Sequence, residues 1–117
     1  MSTEILQKSG YSLVKVTSER LDTFSAPDLK AEFVVLTTRG EKNIVLDLSC
    51  CKYCDSSGLR AILVGNRMCE DAIGTFILCG LQPDVEYLIK LSMLDTVLLI
   101  AETISQAEEL LAKKGEL

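Results

Sequence analysis

The chain has 117 residues, of which 48% are hydrophobic and 25% charged, and its formal net charge is −5. This composition is that of a globular protein and excludes a disordered or fibrous chain, and the absence of a basic cluster argues against direct nucleic-acid binding. No apolar run reaches the roughly 20 residues of a membrane-spanning helix, and the N-terminus lacks the segments of a secretory signal. We expect one domain over residues 1–117, in the cytoplasm and without direct membrane insertion.

The five cysteines are an odd number in a chain without an export signal: Cys50, Cys51, Cys54, Cys69 and Cys79. This count predicts reduced thiols rather than a disulfide framework. Cys51 and Cys54 form a CxxC pair, which redox and zinc sites also use. The chain has no histidine and no second CxxC pair to complete a zinc site. We therefore interpret the thiols as small buried side chains and expect neither a metal nor a cofactor.

Hydrophobic periodicity and turn residues predict four helices and four to five strands. The predicted strands cover residues 4–7, 11–18, 43–48, 75–79 and 97–100. The predicted helices run from Ser25 to a stop at Gly40, over 59–73, over 83–91, and onward from Ser105. This alternation predicts an α/β fold with a mixed sheet, parallel central strands and right-handed crossovers.

Two of these helices carry a specific start signal. Ser25, followed by Pro27 and Asp28, is placed to cap the first helix. Ser105 and Glu108 have the spacing of a capping box at the last helix. Along the helix over 59–73, helical spacing predicts inward positions at Leu59, Ile62, Leu63, Cys69 and Ile73, and solvent positions at Arg60, Arg67, Glu70 and Asp71.

The segment Cys54–Leu59 joins the predicted central strand to the helix that follows, a place where functional residues gather in open α/β sheets. Ser56 and Ser57 lie where free backbone N–H groups and the helix dipole favour an added anion. Gly58 permits a close backbone approach, and Asp55 can hold the turn or bind a partner's donor. Two interpretations stay open: a serine that accepts a phosphoryl group, or a simple helix start with a serine N-cap and Asp55 as an Asx-turn residue.

The sequence contains no recognisable catalytic machinery of its own. A serine nucleophile would lack a histidine base, and the segment is not a G-x-S-x-G elbow. The chain also has no G-x-x-x-x-G-K-[ST] loop to hold a nucleotide. We therefore expect a binding module rather than an enzyme, in which any phosphate on Ser56 is delivered by another protein.

Ile44–Leu48, followed after a short loop by Asp55–Leu59, resembles the signature of STAS-domain anti-sigma factor antagonists, and the similarity extends over nearly the whole chain. Arg20–Asp22 is similar to the G-x-L-D turn of that family, although the usual glycine is missing. Ser92–Asp95 is similar to its S/T-G-L-D segment, with Met93 in place of the glycine. The resemblance implies a single STAS-like domain with a mixed sheet of four to five strands and about four helices.

The resemblance also implies a partner-switching role. In that family the unphosphorylated antagonist binds an anti-sigma factor, commonly a serine-protein kinase, and so frees the sigma factor. The kinase then phosphorylates the first serine of the D-S-S-G turn, and a phosphatase resets it. That serine corresponds to Ser56, with Ser57 as second choice. By position Asp55 and Gly58 shape the site, Ser57 caps the following helix, and Asp22 lies in a turn beside the phosphorylation loop.

Other classes stay open beside this one. A STAS-like accessory subunit of a membrane transport or lipid-trafficking ATPase, or a small-ligand-binding STAS module, would keep the fold without phosphorylation. The hydroxyl pair after Asp55 favours the antagonist. A phosphoacceptor receiver domain would need an acid pair after its first strand and a late lysine beside a proline, but Tyr11–Ser18 ends without such a pair and Lys90 precedes Leu91. The hydrophobic fraction is compatible with a homodimer.

Overall fold

Five strands form the main sheet of the computed structural model, which describes residues 3–117. The strands are β1 (Thr3–Lys8), β2 (Tyr11–Val16), β4 (Asn43–Asp47), β6 (Thr75–Cys79) and β7 (Leu99–Ala101), in the order β1-β2-β4-β6-β7. β1 and β2 are antiparallel, whereas every other neighbouring pair is parallel. The predicted mixed sheet with parallel central strands is confirmed.

Two further strands of two residues each, β3 (Arg20–Leu21) and β5 (Tyr53–Cys54), form a separate parallel pair. Neither was predicted from the sequence. The helices are α1 (Ala26–Thr38), α2 (Ser56–Asp71), α3 (Pro83–Leu91) and α4 (Ile104–Lys113). Within residues 3–117, none of these helices has the length and apolarity that crossing a membrane requires.

Side chains alternate across the sheet and form two cores, because successive residues of a strand point to opposite faces. In β4, Ile44 and Leu46 belong to the core shared with α1, α2 and α3, whereas Val45 belongs to the core shared with α4. All three side chains are fully buried. A central strand covered on both faces reads as a continuous apolar run, which is why it could be recognised in the sequence.

The sequence predicted the end of α1 correctly and the end of α2 incorrectly. Gly40 follows α1 at φ +91°, as expected for a helix stop. After α2 the left-handed residue is Ile73 (φ +59°), whose side chain is 83% exposed, so its predicted inward position was wrong. Gly74 follows Ile73 and lies directly against Lys42, since a Cβ at position 74 would overlap the carbonyl oxygen of Lys42.

Ser25 precedes α1, but its hydroxyl does not cap the helix. The Oγ donates to the carbonyl oxygen of Arg20 and accepts the N–H of Asp22, both at 3.0 Å. Ser105 was also predicted wrongly as a cap. α4 begins earlier, and the hydroxyl of Thr103 accepts the N–H of Gln106 at 3.1 Å.

The last strand begins later than predicted because the N–H groups of Val97 and Leu98 still bond to the carbonyl oxygen of Leu94, in the preceding 3-10 turn Leu94–Thr96. Met93 opens this turn with φ +60°. Glycine adopts this left-handed conformation without steric cost. Met93 therefore keeps the backbone conformation that a glycine would have at this position.

Candidate functional site

The β3–β5 pair brings two loops of the chain together. Arg20 is in register with Tyr53, and Leu21 with Cys54. The strand pairing continues one step further, because the N–H of Asp55 donates to the carbonyl oxygen of Leu21 at 3.2 Å. Since β3 leads towards α1 and β5 leads into α2, the turn at Asp22 and the start of α2 become neighbours. The structure thus brings together the two segments that the sequence analysis singled out.

Asp55 is the N-cap of α2. Its Oδ1 accepts the N–H of Gly58 at 3.0 Å, and its backbone is extended (φ −108°, ψ −171°). The helix therefore starts at Ser56, three residues before the predicted start at Leu59. The prediction that Ser57 caps the helix was wrong, because the carboxylate one position before the two serines already holds the N–H that a cap would satisfy.

The two serines after Asp55 lie in different environments. Ser57 is half-buried, and its Oγ lies 3.2 Å from Oγ1 of Thr23. Ser56 is exposed, and none of the side-chain hydrogen bonds within residues 3–117 involves it. Thr23 carries no motif signal and was missed by the sequence analysis. The hydroxyl of Ser56 is therefore accessible to solvent, whereas that of Ser57 links α2 to the neighbouring turn.

Gly58 is buried at the contact between the two segments. A Cβ at this position would overlap the carbonyl oxygen of Leu21 and lie 2.6 Å from Sγ of Cys54. The glycine therefore permits the β3 segment to lie directly against the first turn of α2. Without this approach, Thr23 could not reach Ser57.

Asp22 organises the neighbouring turn through both carboxylate oxygens. Oδ1 accepts the N–H of Phe24 at 3.0 Å and that of Ser25 at 3.3 Å, and Oδ2 pairs with Nε of Arg20 at 3.2 Å. Desolvation acts to raise the pKa of Asp22, but the hydrogen bonds from Phe24, Arg20 and Ser25 outweigh it and hold the pKa below its usual value. Asp22 is therefore a carboxylate at neutral pH.

An aromatic and charged surface adjoins this turn. The guanidinium carbon of Arg20 lies 4.2 Å from the ring centroid of Tyr53, a cation–π contact. Phe24 is 90% exposed, and together with Arg20 and Asp22 it lines a surface depression of about 560 Å³. Exposed aromatic side chains and arginine are enriched where proteins bind each other. The surface at the Asp22 turn thus combines an exposed aromatic ring with a cationic and an anionic side chain.

Four of the five cysteines are buried, and Cys50 is half-buried. Burial raises the pKa of three thiols to about 12: Cys54, Cys69 and Cys79. These thiols are protonated at neutral pH and act there as packing groups. No group of three or more potential metal-ligating side chains was found among the residues that the structure describes.

A family model described as STAS domain matches residues 2–107 of the chain. The putative anti-sigma factor antagonist BtrV of Bordetella bronchiseptica is 32% identical over 72 residues. The match covers 62% of this chain, and it spans 62% of the length of that curated relative.

Solved structures of similar fold include a putative anti-sigma factor antagonist from Thermotoga maritima, with a TM-score of 0.82 and 26% identity over 92% of both chains. The Bacillus cell fate determinant SpoIIAA, in its phosphorylated form, has a TM-score of 0.71 and 19% identity over 92% of this chain and 96% of that one. The second likeness concerns the fold alone.

Proposed function

The chain belongs to the STAS domain family, and from this we propose that it is an anti-sigma factor antagonist switched by phosphorylation of Ser56. One observation carries the choice of residue: the hydroxyl of Ser56 is exposed at the first position of α2, while the side chains of Asp55 and Ser57 on either side are engaged. The names of the Bordetella and Thermotoga relatives support the class of partner.

In the proposed reaction, a partner kinase transfers the γ-phosphoryl group of ATP to Oγ of Ser56, which loses its proton, and ADP leaves. The product carries about −1.5 to −2 additional charges at pH 7. At Ser56 these charges face the N-terminal turn of α2, where free N–H groups and the helix dipole stabilise an anion. The phosphoryl group therefore changes the surface of the domain without unfolding it. SpoIIAA, which shares the fold, has been solved in a phosphorylated form.

The anti-sigma factor would bind the surface formed by the turn at Asp22, the Arg20–Tyr53 stack and the first turn of α2. Phe24 offers an exposed apolar anchor there, and Asp22 offers a carboxylate for a basic side chain of the partner. Because Ser56 belongs to the same surface, a partner that is itself a serine kinase meets its substrate as it binds. The added charge beside Asp55 then weakens the complex, and a phosphatase restores it.

In this scheme the chain is a binding module and a kinase substrate, and it acts in the cytoplasm, where sigma factors work. It regulates transcription indirectly, by occupying the anti-sigma factor. Asp55 and Gly58 serve to present Ser56, and neither takes part in a chemical step.

The test is phosphorylation by candidate anti-sigma kinases with ATP, with the phosphate located by mass spectrometry. We expect a single phosphate on Ser56 in the wild type and in the matched control Ser57→Ala, and none in Ser56→Ala. In binding assays with the same kinase, Ser56→Asp should bind at least roughly tenfold more weakly than Ser56→Ala, a difference of about 1.4 kcal/mol.

The proposal is wrong if neither serine is ever phosphorylated and Ser56→Ala and Ser56→Asp bind every partner alike. Capture of a membrane transport ATPase from the native cytosol and membranes, in place of a kinase-like anti-sigma factor, would contradict the proposed class of partner.

A further inference from the structure

We infer that Arg60 is the counter-ion that the chain itself supplies to a phosphoryl group on Ser56, an inference that rests on the proposed phosphorylation of that serine. Arg60 follows Ser56 by four positions on α2, and both residues are exposed. Side chains four residues apart lie one above the other on the same face of a helix. The guanidinium is therefore within reach of whatever is attached to Oγ of Ser56.

No carboxylate of α2 lies three or four positions from Arg60, the spacing at which helical side chains meet. The neighbours at three and four positions before it are Ser57 and Ser56, and those after it are Leu63 and Val64. Among the ion pairs of the described residues, Arg20 pairs with Asp22, Lys52 with Glu19 and Lys90 with Glu86, and Arg60 takes part in none of them. A phosphoryl group on Ser56 would place an anion at contact spacing from Arg60, where α2 has no carboxylate.

The protein already contains an ion pair of this geometry. In α3, Nζ of Lys90 lies 3.6 Å from Oε1 of Glu86, four positions earlier. The acidic member precedes the basic one, which is the favourable order because it complements the helix dipole. Phosphorylated Ser56 followed by Arg60 would repeat this arrangement at the start of α2.

Arg60 offsets a repulsion that the site otherwise contains. The phosphoryl group on Ser56 is adjacent in sequence to Asp55, whose carboxylate is held at the helix start by the N–H of Gly58. Two negative charges on adjacent residues repel each other, and a nearby cation reduces the free-energy cost of that repulsion. A guanidinium can also donate two parallel hydrogen bonds to phosphate oxygens. Arg60 is thus a positioning residue that keeps the phosphoryl group on the helix surface.

The experiment places phosphoserine at position 56 during translation, so that no kinase is needed, and follows its second ionisation by phosphorus NMR from pH 4 to pH 8. A nearby cation favours the dianion, so Arg60 lowers this pKa. We expect the pKa to be roughly 0.2–0.4 unit higher in Arg60→Gln than in the wild type. Arg60→Lys, which keeps the charge, should recover at least half of that difference.

Arg67→Gln is the matched control, because it removes the same charge from an exposed position of the same helix. Arg67 lies about three turns beyond Ser56, or about 16 Å along the axis, which exceeds the screening length of about 8 Å at physiological salt. Its removal should move the pKa by less than about 0.1 unit. Equal thermal midpoints of the unphosphorylated variants verify that all of them fold.

The inference is overturned if Arg60→Gln leaves the phosphoserine pKa unchanged, or if Arg67→Gln shifts it equally. These results are separate from the fate of the proposed function. Absence of phosphate on either serine with every candidate kinase, together with equal binding of Ser56→Ala and Ser56→Asp, would refute the switch while the pKa difference persisted. A kinase that modifies Ser56 would support the switch even if Arg60 had no effect on the pKa.

Discussion

Helices α2 and α4 both begin with a side-chain cap, yet only α2 forms the candidate site. Asp55 accepts the N–H of Gly58 at 3.0 Å, and Thr103 accepts the N–H of Gln106 at 3.1 Å. In both helices the accepting side chain belongs to the residue before the first turn and the donor lies three positions on. The two helix starts are thus equivalent in capping. A capped start alone does not make a functional site.

The difference lies in what packs on each helix start. At α2 a second segment lies alongside, since Asp55 bonds to Leu21 and Ser57 lies within hydrogen-bond distance of Thr23. At α4 the nearest bond is local, from the N–H of Glu102 to the side chain of Gln106 at 2.6 Å. The β3 segment restrains the backbone and one serine of α2 while leaving Ser56 in solvent. The site is therefore made by the contact between two segments, and its stability should depend on that contact.

Gly58→Ala should break this contact and is the largest effect that we predict. The new Cβ would overlap the Leu21 carbonyl oxygen, which belongs to the backbone and cannot turn away. We expect a loss of about 3 kcal/mol in the free energy of unfolding, measured in urea at pH 7, even though alanine suits a helix better than glycine. Gln106→Ala, at the equivalent position of α4, is the control and should cost no more than about 1 kcal/mol. Equal losses in the two variants would show that the helix starts do not differ in packing.

The sheet could be predicted because its central strands are covered on both faces. Residues 43–47 and 75–79 are buried throughout, and at their centres Ile44–Leu46 and Phe76–Cys79 are unbroken apolar runs. Two positions of α2 could be predicted for a related reason, since helical spacing placed Ile62 and Cys69 inward and both are buried. Long segments that bury a whole face carry a signal that short segments lack.

The β3–β5 pair could not be predicted, because two residues per strand are too few to show a period. The neighbourhood of Asp22 and Ser56 came instead from the resemblance to a family, and the contact between Thr23 and Ser57 came only from the structure. The caps of α2 and α4 were both placed two residues too late. Each start offers more than one polar side chain that could cap, and the one that does is the residue directly before the first helical residue, Asp55 or Thr103.

Two buried thiols, Cys54 and Cys79, report how well water is excluded around α2 and α4. Cys54 lies beneath the start of α2 beside Gly58, and Cys79 lies in the core that contains Ala107 of α4. Burial raises both pKa values from 9.0 to about 12, so between pH 9 and pH 12 the unfolded chain loses these protons while the folded chain keeps them. The stability is therefore complete below pH 9 and falls as the pH rises.

Each thiol should lower the free energy of unfolding by about 1.5 kcal/mol at pH 10.5, allowing for solvent screening. Cys54→Ala and Cys79→Ala should each flatten the decline of unfolding free energy between pH 8 and pH 10.5 by that amount, relative to the wild type under reducing conditions. Similar slopes would show that both sites exclude water. A smaller change for Cys54→Ala would mean that water enters beneath the start of α2, and the close packing inferred around Gly58 would then be wrong.

The two caps should have the smallest effects. Removing a capping side chain typically costs about 1 kcal/mol, so Asp55→Ala and Thr103→Ala should both lower the free energy of unfolding by about that much in urea at pH 7. Asp55→Ala should cost a few tenths of a kcal/mol more, because a carboxylate at a helix N-terminus also interacts with the dipole. Asp55→Asn, which keeps the acceptor and removes the charge, separates these two contributions. If Asp55→Ala costs nothing while Thr103→Ala costs the full amount, the bond from the Asp55 N–H to Leu21 holds the start of α2 without its cap. The segment that exposes Ser56 would then also be the one that holds its helix in place.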